Sequence, residues 1–249
     1  MKIMKKTLLT SLLLLIVTTI TYAQNQLHYV HQDWLKPSKN EEYKNLTKTL
    51  VEEFKKHNFP YPVGTVYMSD GSVISVTPLK NFADLDLDPY KEISEKIGLE
   101  KWRKIFDDFN GCYTSHNNFT VNYMSDLSYA PTGESMEGYN YYEYHFYYIA
   151  PGESKKMEDL IKSVKDISVN KNAPLNFSIY RSGFGSQSDY YVALISAKDE
   201  AHLKELADSN AKIIGEEGKK AIQNVYKSSI KYELILGWYM PDLSYNPKQ

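Results

Sequence analysis

The sequence predicts an α+β fold built from two copies of one βαββαβ unit. The first observation is a repeat, because the segment at 123–131 recurs at 239–247 with seven of nine residues identical. The second is a set of shorter matches at nearly the same spacing: Pro37, Asn58 and Pro60 recur as Pro151, Asn172 and Pro174, and Ile97-Gly98 recurs as Ile214-Gly215. A period above 100 residues is too long for a solenoid and indicates a duplicated domain.

The second copy shows each element of the unit in order. Alternation of apolar and polar residues predicts strands, and apolar residues three or four apart predict helices. The predicted elements are a strand at 142–149, a helix at 153–171, strands at 176–181 and 190–195, a helix at 199–225 and a strand at 232–240.

The first copy repeats this order. The Asp70-Gly71 pair is typical of a two-residue hairpin turn. The predicted elements are a strand at 27–34, a helix at 40–57, strands at 63–68 and 73–77, a helix at 92–109 and a strand at 118–124. This order is that of a ferredoxin-like unit, whose helices cover only one face of the sheet. Two such sheets bury their bare faces against each other.

The domain boundaries follow from the repeat and from the first residues of the chain. Three lysines precede an uncharged, leucine-rich stretch of about 13 residues from Leu8 to Ile20. Thr21-Tyr22-Ala23 follows, which is typical of a secretory signal peptide cleaved before Gln24. A spanning helix needs ~20 apolar residues. We therefore predict a signal peptide at 1–23, repeats at 24–131 and 140–249, and a linker at 132–139. The expected location is the periplasm or exterior of a Gram-negative bacterium, with no membrane attachment after cleavage.

Composition and motifs exclude several classes of function. The formal net charge is −2, and lysine and arginine are not clustered, so a nucleic-acid partner is not expected. Cys112 is the single cysteine, which rules out an internal disulfide and is typical of a small buried residue. No nucleotide-binding or common hydrolase motif occurs, and no histidine pair has metal-ligand spacing.

The second copy also resembles the dimeric α/β-barrel superfamily, which includes antibiotic-biosynthesis monooxygenase-like and NIPSNAP-like domains. The residues that carry the resemblance are Ala150-Pro151-Gly152-Glu153, Leu160, Val164, Ser178–Ser182, Tyr190–Ala193 and Ala197-Lys198-Asp199-Glu200. The resemblance implies that two fused ferredoxin-like units form one pseudo-dimeric α/β barrel, and therefore a monomer. Members of the superfamily include cofactor-free oxygenases, isomerases, haem enzymes and proteins without known activity, so the fold does not give the function.

Two histidines on the first strands are the main candidate site residues. Aligning these strands at a spacing of 116 pairs Tyr29 with His145 and His31 with Tyr147. Side chains two apart share one face, so we expect all four to face the barrel interior. Imidazole titrates near neutrality and acts as a base or as a metal or haem ligand. The alternative is a hydrogen-bonded structural role.

Three further features complete the candidates. Arg181 ends a strand, has Met68 as its expected counterpart, and either clamps an oxyanion or is solvated. Trp238, aligned with Asn122, either lines an apolar pocket or packs beneath the helices. The repeated tail containing Tyr129 and Tyr245 is interpreted as structural.

These residues leave three functions open. We expect an exported protein that binds a small apolar or aromatic molecule in a barrel cavity. The proposed ligand-binding residues are His31, His145, Tyr147, Arg181 and Trp238. The alternatives are a monooxygenase-like oxidoreductase, cofactor-free or haem-dependent, and a structural or interaction protein without a ligand. No motif implies a cofactor or a metal.

Overall fold

A computed structural model describes residues 26–133 and 135–247. The strands are β1 (Gln26–Leu35), β2 (Gly64–Met68), β3 (Ser72–Leu79), β4 (Tyr113–Tyr123), β5 (Tyr141–Tyr148), β6 (Ser178–Ser182), β7 (Tyr190–Ala197) and β8 (Lys231–Tyr239). The α-helices are α1 (Asn40–His57), α2 (Lys91–Ile97), α3 (Leu99–Asn110), α4 (Ser154–Asn170) and α5 (Glu200–Ser228). Short 3-10 turns lie at Pro37–Lys39, Phe82–Asp86 and Pro241–Leu243. The predicted signal peptide lies outside the described residues, and none of the described helices is long and apolar enough to span a membrane.

The described strands close a barrel in the order β1-β3-β2-β8-β5-β7-β6-β4, with β4 paired to β1. Each half contributes a four-stranded antiparallel sheet, β4-β1-β3-β2 and β8-β5-β7-β6. The halves are joined where β2 pairs with β8 and where β4 pairs with β6. The predicted fold class, two fused ferredoxin-like units in one pseudo-dimeric α/β barrel, is confirmed.

The repeated tails fasten the two halves to each other. After β4, the chain bonds to the second half, where Tyr129 and Phe177 exchange backbone hydrogen bonds and the Tyr129 hydroxyl donates to the Ala173 carbonyl at 2.7 Å. After β8, the chain bonds to the first half in the same way, through Tyr245 with Val63 and through the Tyr245 hydroxyl to Phe59 O at 2.8 Å. The repeat therefore recurs because each half needs the same attachment to the other.

Two glycines interrupt helices that the periodicity predicts as continuous. The helix expected at 92–109 is two helices, α2 and α3, separated by Gly98 at φ 95°. The helix expected at 199–225 is bent at Gly215, where φ is 63°. Side chains with a Cβ rarely adopt this backbone conformation, so glycine permits both breaks. The Ile-Gly repeat thus marks one bend in each half.

Hydrogen bonds at strand ends correct the alignment of the two first strands. The Leu35 amide donates to the Gly71 carbonyl, and the Ile149 amide donates to the Asp189 carbonyl, so these two residues are equivalent. This spacing of 114 makes His31 the counterpart of His145 and replaces the predicted pairing of His31 with Tyr147. The pairing of β2 with β3 and of β6 with β7 likewise makes Tyr67, and not Met68, the counterpart of Arg181. Asn122 and Trp238 are equivalent, as predicted, because they face Leu27 and Tyr141 across the ladder.

Candidate functional site

The two faces of β5 point into different spaces. Tyr142, Tyr144 and Phe146 line the inside of the barrel, together with Val30 of β1. His145 and Tyr147 have the opposite parity and point outwards, toward the helices of the second half. The expectation that the histidine parity faces the barrel interior was therefore wrong. Strand β5 carries aromatic residues on both faces, so the alternation of residue types alone did not distinguish its inner face from its outer face.

A cavity of about 650 Å³ lies between the outer face of the second sheet and the helices α4 and α5. Apolar side chains from both layers form most of its wall: Ile161 and Val164 from α4, Phe177 and Ile179 from the β6 region, and Val225 from α5. Ligand-binding cavities are typically of this size and mostly apolar, with a few polar groups placed among apolar ones.

The cavity exists because small and polar residues replace large apolar ones found in the first half. The Phe59 amide bonds to the Phe54 carbonyl at the end of α1, and the Ala173 amide bonds to the Ser168 carbonyl at the end of α4. Ser168 therefore occupies the position of Phe54. Counted from the two helix-breaking glycines, Asn210 occupies the position of Ile93. Ser168 and Asn210 both line the cavity, while Phe54 and Ile93 pack together in the first half.

Asn210 supplies the cavity with an unpaired polar atom. The residue is 8% exposed, and its Oδ1 is buried without a hydrogen-bond partner among the described residues. Ser168 differs, because its hydroxyl donates to the Val164 carbonyl at 3.0 Å. A buried polar atom without a partner costs about 1–3 kcal/mol, so native proteins rarely keep one without a reason.

His145 forms the polar part of the sheet wall. Its Nδ1 lies 2.8 Å from the Tyr232 hydroxyl, and its Nε2 lies 3.1 Å from Glu143 Oε2. The carboxylate fixes the orientation of the ring, as carboxylates commonly do for functional histidines. Burial, together with the nearby Glu143 charge, raises the pKa of Tyr232. Tyr232 is therefore a neutral hydroxyl at physiological pH.

Tyr147 belongs to the same wall. Its ring lies 5.4 Å from the ring of Tyr232, and both rings line the cavity. Burial, with a contribution from Tyr232, raises the pKa of Tyr147 well above its usual value. Of the predicted site residues, the structure thus brings His145 and Tyr147 together, and it adds Tyr232, Ser168 and Asn210, which sequence reasoning missed.

His31 occupies the position equivalent to His145 but borders neither cavity. Its Nδ1 lies 2.7 Å from Asn118 Oδ1, and its Nε2 lies 3.1 Å from Asp33 Oδ1. Burial lowers the pKa of His31, but the hydrogen bonds to Asp33 and Asn118 and the Asp33 charge outweigh it, so the pKa is raised. An imidazole held through both ring nitrogens fits the structural alternative.

Arg181 and Trp238 lie outside both cavities. The Arg181 guanidinium bonds to the Ser154 hydroxyl at 3.0 Å and lies 3.6 Å from a Glu158 oxygen, at the start of α4. It therefore ties β6 to the helix that covers it. Trp238 is 42% exposed on the outer face of β8, with its ring 6.3 Å from that of Tyr141. Cys112 is fully buried, as predicted.

The residues around the cavity do not fit a haem. Both ring nitrogens of His145 already have hydrogen-bond partners, so neither is free for an axial bond to iron. Among the lining residues, Lys227 is the single cation available for two propionates. The described residues also contain no group of three or more His, Cys, Asp or Glu side chains placed to hold a metal ion.

Comparisons with known proteins identify the fold. No protein-family model and no curated protein matches the sequence. A candidate monooxygenase from Lactobacillus acidophilus NCFM matches with a TM-score of 0.57 at 8% identity, over 90% of this chain and 97% of that one. The fold is the dimeric α/β barrel.

Two further solved structures agree. An anthrone oxidase-like protein matches with a TM-score of 0.57 at 10% identity, over 87% of this chain and 92% of that one. A candidate monooxygenase from Fusobacterium nucleatum matches with a TM-score of 0.56 at 11% identity, over 86% of this chain and 92% of that one. At these identities the likeness is one of fold, and the chemistry has to be argued from the site.

Proposed function

We propose that the protein binds a small, mostly apolar aromatic molecule in the cavity between the second sheet and α4 and α5. The observation that carries this proposal is the buried Oδ1 of Asn210, which has no hydrogen-bond partner among the described residues and belongs to a residue that lines a mostly apolar cavity. A ligand that donates a hydrogen bond would satisfy this atom, and its rings would replace the Phe54 side chain that fills the first half.

The cavity walls specify the ligand further. Apolar residues of α4, α5 and β6 surround the space for the ring system, and aromatic rings interact well with Phe177 and Tyr191. The hydroxyl of Tyr232, which is hydrogen-bonded to His145, offers a second polar contact on the sheet side. The favoured ligand is therefore a neutral aromatic molecule with a hydroxyl or amine donor.

A matched pair of probes tests this proposal. 2-Naphthol carries a donor, and 2-methylnaphthalene has nearly the same shape without it. We expect 2-naphthol to stabilise the wild-type protein in a thermal unfolding assay by RT ln(1 + [L]/Kd), with 2-methylnaphthalene weaker by about fivefold, the factor that ~1 kcal/mol for one hydrogen bond gives. Asn210→Leu should abolish that preference. Asn224→Leu, at an exposed position of the same helix, is the control. Equal binding of both probes to wild type contradicts the proposal.

A second candidate function is oxidation of the bound molecule by molecular oxygen. It is favoured by the Glu143–His145–Tyr232 chain, because an oriented imidazole is suited to accept a proton through the tyrosine hydroxyl. Anthrone is a suitable probe, because one structural neighbour is an anthrone oxidase-like protein. Its methylene loses two hydrogens, O₂ supplies the carbonyl oxygen, and water leaves. We expect oxygen uptake above the protein-free rate, lost in His145→Ala while folding is kept. Uptake at the protein-free rate removes this candidate.

We also infer that the protein is exported and monomeric. Export is supported by the basic and leucine-rich residues 1–23, and a monomer is supported by a barrel that closes within one chain. Expression of the full chain in a Gram-negative host should yield periplasmic protein whose mass begins at Gln24. Light scattering should give the mass of one chain, and a dimer mass would contradict the second inference.

A further inference from the structure

The inside of the barrel contains a second cavity, of about 800 Å³, separated from the first by the sheet itself. Neighbouring residues of β7 show the separation, because Val192 lines the barrel cavity and Ala193 lines the cavity under the helices. The two spaces therefore have different walls, and each can be blocked without filling the other.

The walls of the barrel cavity differ between the two halves. On the second half, Tyr142, Tyr144, Phe146 and Tyr148 form an aromatic ladder along β5, with successive ring centroids 6.1, 6.4 and 6.4 Å apart. The ring plane of Phe146 makes an angle of 21° with that of Tyr144 and of 24° with that of Tyr148. The first half presents mostly aliphatic residues, among them Val30, Val66 and Ile74, together with Trp34 and Phe119. A cavity between a ladder of rings and an aliphatic wall suits a planar aromatic body.

One glycine makes the deepest part of this ladder possible. A Cβ on Gly237 of β8 would lie 2.7 Å from the Tyr144 ring and 2.9 Å from the Val66 side chain. These distances are below van der Waals contact, so only glycine lets the Tyr144 ring approach β8 this closely. The position of the Tyr144 hydroxyl inside the barrel is therefore built into the backbone.

Three hydroxyl groups of the ladder region have no hydrogen-bond partner in the described part of the chain. They belong to Tyr142, Tyr144 and Tyr180, all of which line the cavity. Tyr144 is 9% exposed. Burial raises the pKa of all three tyrosines, so their hydroxyls are protonated donors at physiological pH. Hydroxyl donors on the wall of an otherwise mostly apolar cavity suit a ligand that carries a hydrogen-bond acceptor.

The rim of the cavity is polar but electrically balanced. The exposed lining residues Asp70, Gln187 and Ser188 belong to the two hairpin loops, which places the opening at that end of the barrel. There the Lys231 ammonium lies 2.7 Å from Glu233, which also accepts a hydrogen bond from the Tyr148 hydroxyl at 2.7 Å. Because this lysine and carboxylate neutralise each other, the rim offers no unpaired cation to an anionic ligand.

We propose that the barrel cavity is a second ligand site, for a neutral planar aromatic carbonyl compound whose oxygen accepts hydrogen bonds from Tyr142, Tyr144 and Tyr180. The ring system lies along the β5 ladder, and its far end points toward the hairpin loops. This site does not involve Asn210 or His145. Its ligand accepts hydrogen bonds, whereas the ligand proposed for the cavity under the helices donates one.

The test uses 1-acetylnaphthalene and 1-ethylnaphthalene, which differ in the carbonyl oxygen, and measures both dissociation constants by calorimetry. The background is Ala193→Phe, which places a ring in the cavity under the helices and obstructs it. In this background we expect the ketone to bind about fivefold more tightly than the hydrocarbon. Tyr144→Phe, which keeps the ring, should weaken the binding of the ketone by about fivefold. The dissociation constant of the hydrocarbon should change by less than about twofold. One neutral hydrogen bond is worth about that factor.

A second variant tests the location. Val192→Phe, in the otherwise wild-type chain, places a ring in the barrel cavity and obstructs it, and should abolish the preference for the ketone. The proposal is overturned by equal affinities of ketone and hydrocarbon, by a preference that survives Tyr144→Phe, or by absence of saturable binding. If Ala193→Phe or Val192→Phe does not fold, Tyr144→Phe in the wild-type chain still decides, because it changes no packing volume.

Discussion

The two halves of the molecule share one arrangement of strands and helices but differ in how the space between them is filled. In the first half, the Phe54 and Phe59 rings stack at 4.2 Å, and Ile93 packs against them. In the second half, the positions of Phe54 and Ile93 hold Ser168 and Asn210, and a cavity of about 650 Å³ takes the place of the packed side chains. The comparison teaches that the first half is filled with packed side chains, whereas the second leaves a cavity, which we propose as a ligand site.

The histidines repeat this contrast. His31 and His145 occupy equivalent positions, and each is held through both ring nitrogens. Only His145 borders the cavity, because the helices above it leave space. The same residue on the same scaffold thus has a structural role in one half and a place in the candidate site in the other.

The largest expected effect is on the stability of the filled half. Phe54→Ser removes a fully buried ring and should lower the free energy of unfolding by about 3–5 kcal/mol, as large-to-small changes in cores do. Urea denaturation measures it. Ser168→Phe, the reverse change in the second half, should cost little because the ring enters an existing cavity. If both changes destabilise equally, the contrast between the halves is incorrect.

The next effect concerns the buried amide. Asn210→Ile places in the second half the residue that the first half already has, and it removes an unpaired polar atom. We expect the free energy of unfolding to rise by about 1–3 kcal/mol, the usual cost of such an atom. Ile93→Asn in the first half is the matched change and should lower it. A destabilising Asn210→Ile would mean that the amide has a partner in solution.

The two attachments between the halves should contribute equally to the stability of the protein. Tyr129→Phe and Tyr245→Phe each remove a hydroxyl that donates to a backbone carbonyl of the opposite half. Each variant should lose about 0.5–1.5 kcal/mol of unfolding free energy, the net value of one hydrogen bond. Thermal unfolding in parallel compares them. A much larger loss of unfolding free energy for one of the two variants would show that the two attachments do not contribute equally to stability.

The smallest effect is a pH dependence specific to the first half. Because the folded pKa of His31 is raised, its contribution to stability is complete below its unfolded pKa of about 6.5 and is lost as the pH rises through the folded value. His31→Gln should therefore destabilise the protein more at pH 5 than at pH 9. The pKa of His28 is lowered, mainly by burial, so its effect on stability has the opposite pH dependence. His28 is present in both the wild type and the variant, so this effect cancels in their difference. A pH-independent difference would show that His31 does not titrate upward.

Local patterns predicted the elements well, because strand and helix periodicity and the Asp70-Gly71 turn are properties of neighbouring residues. The strand face that lines the barrel was predicted wrongly, because β5 carries aromatic residues on both sides and its burial depends on packing between the halves. The prediction of two continuous helices was wrong at Gly98 and Gly215, because the apolar spacing continues across the interruption of each helix.

The cavity was missed although the sequence contained a signal for it. The spacing that relates Asn58 to Asn172 also pairs Phe54 with Ser168, and the spacing that relates Gly98 to Gly215 pairs Ile93 with Asn210. Two exchanges of a large apolar residue for a polar one, on adjoining helices, indicate lost packing at one place. That the two positions meet across a helix pair is a property of the tertiary structure, which the helical pattern alone does not supply.

The central claim is that the second half binds a ligand where the first half is packed with side chains. The most direct measurement is a crystal structure of the mature protein grown with 2-naphthol. We predict density for the naphthalene rings between α4 and β6, over Ser168, with the hydroxyl within hydrogen-bond distance of Asn210 Oδ1. Density confined to other parts of the molecule, or rearranged side chains filling the space over Ser168 without a ligand, would contradict the claim.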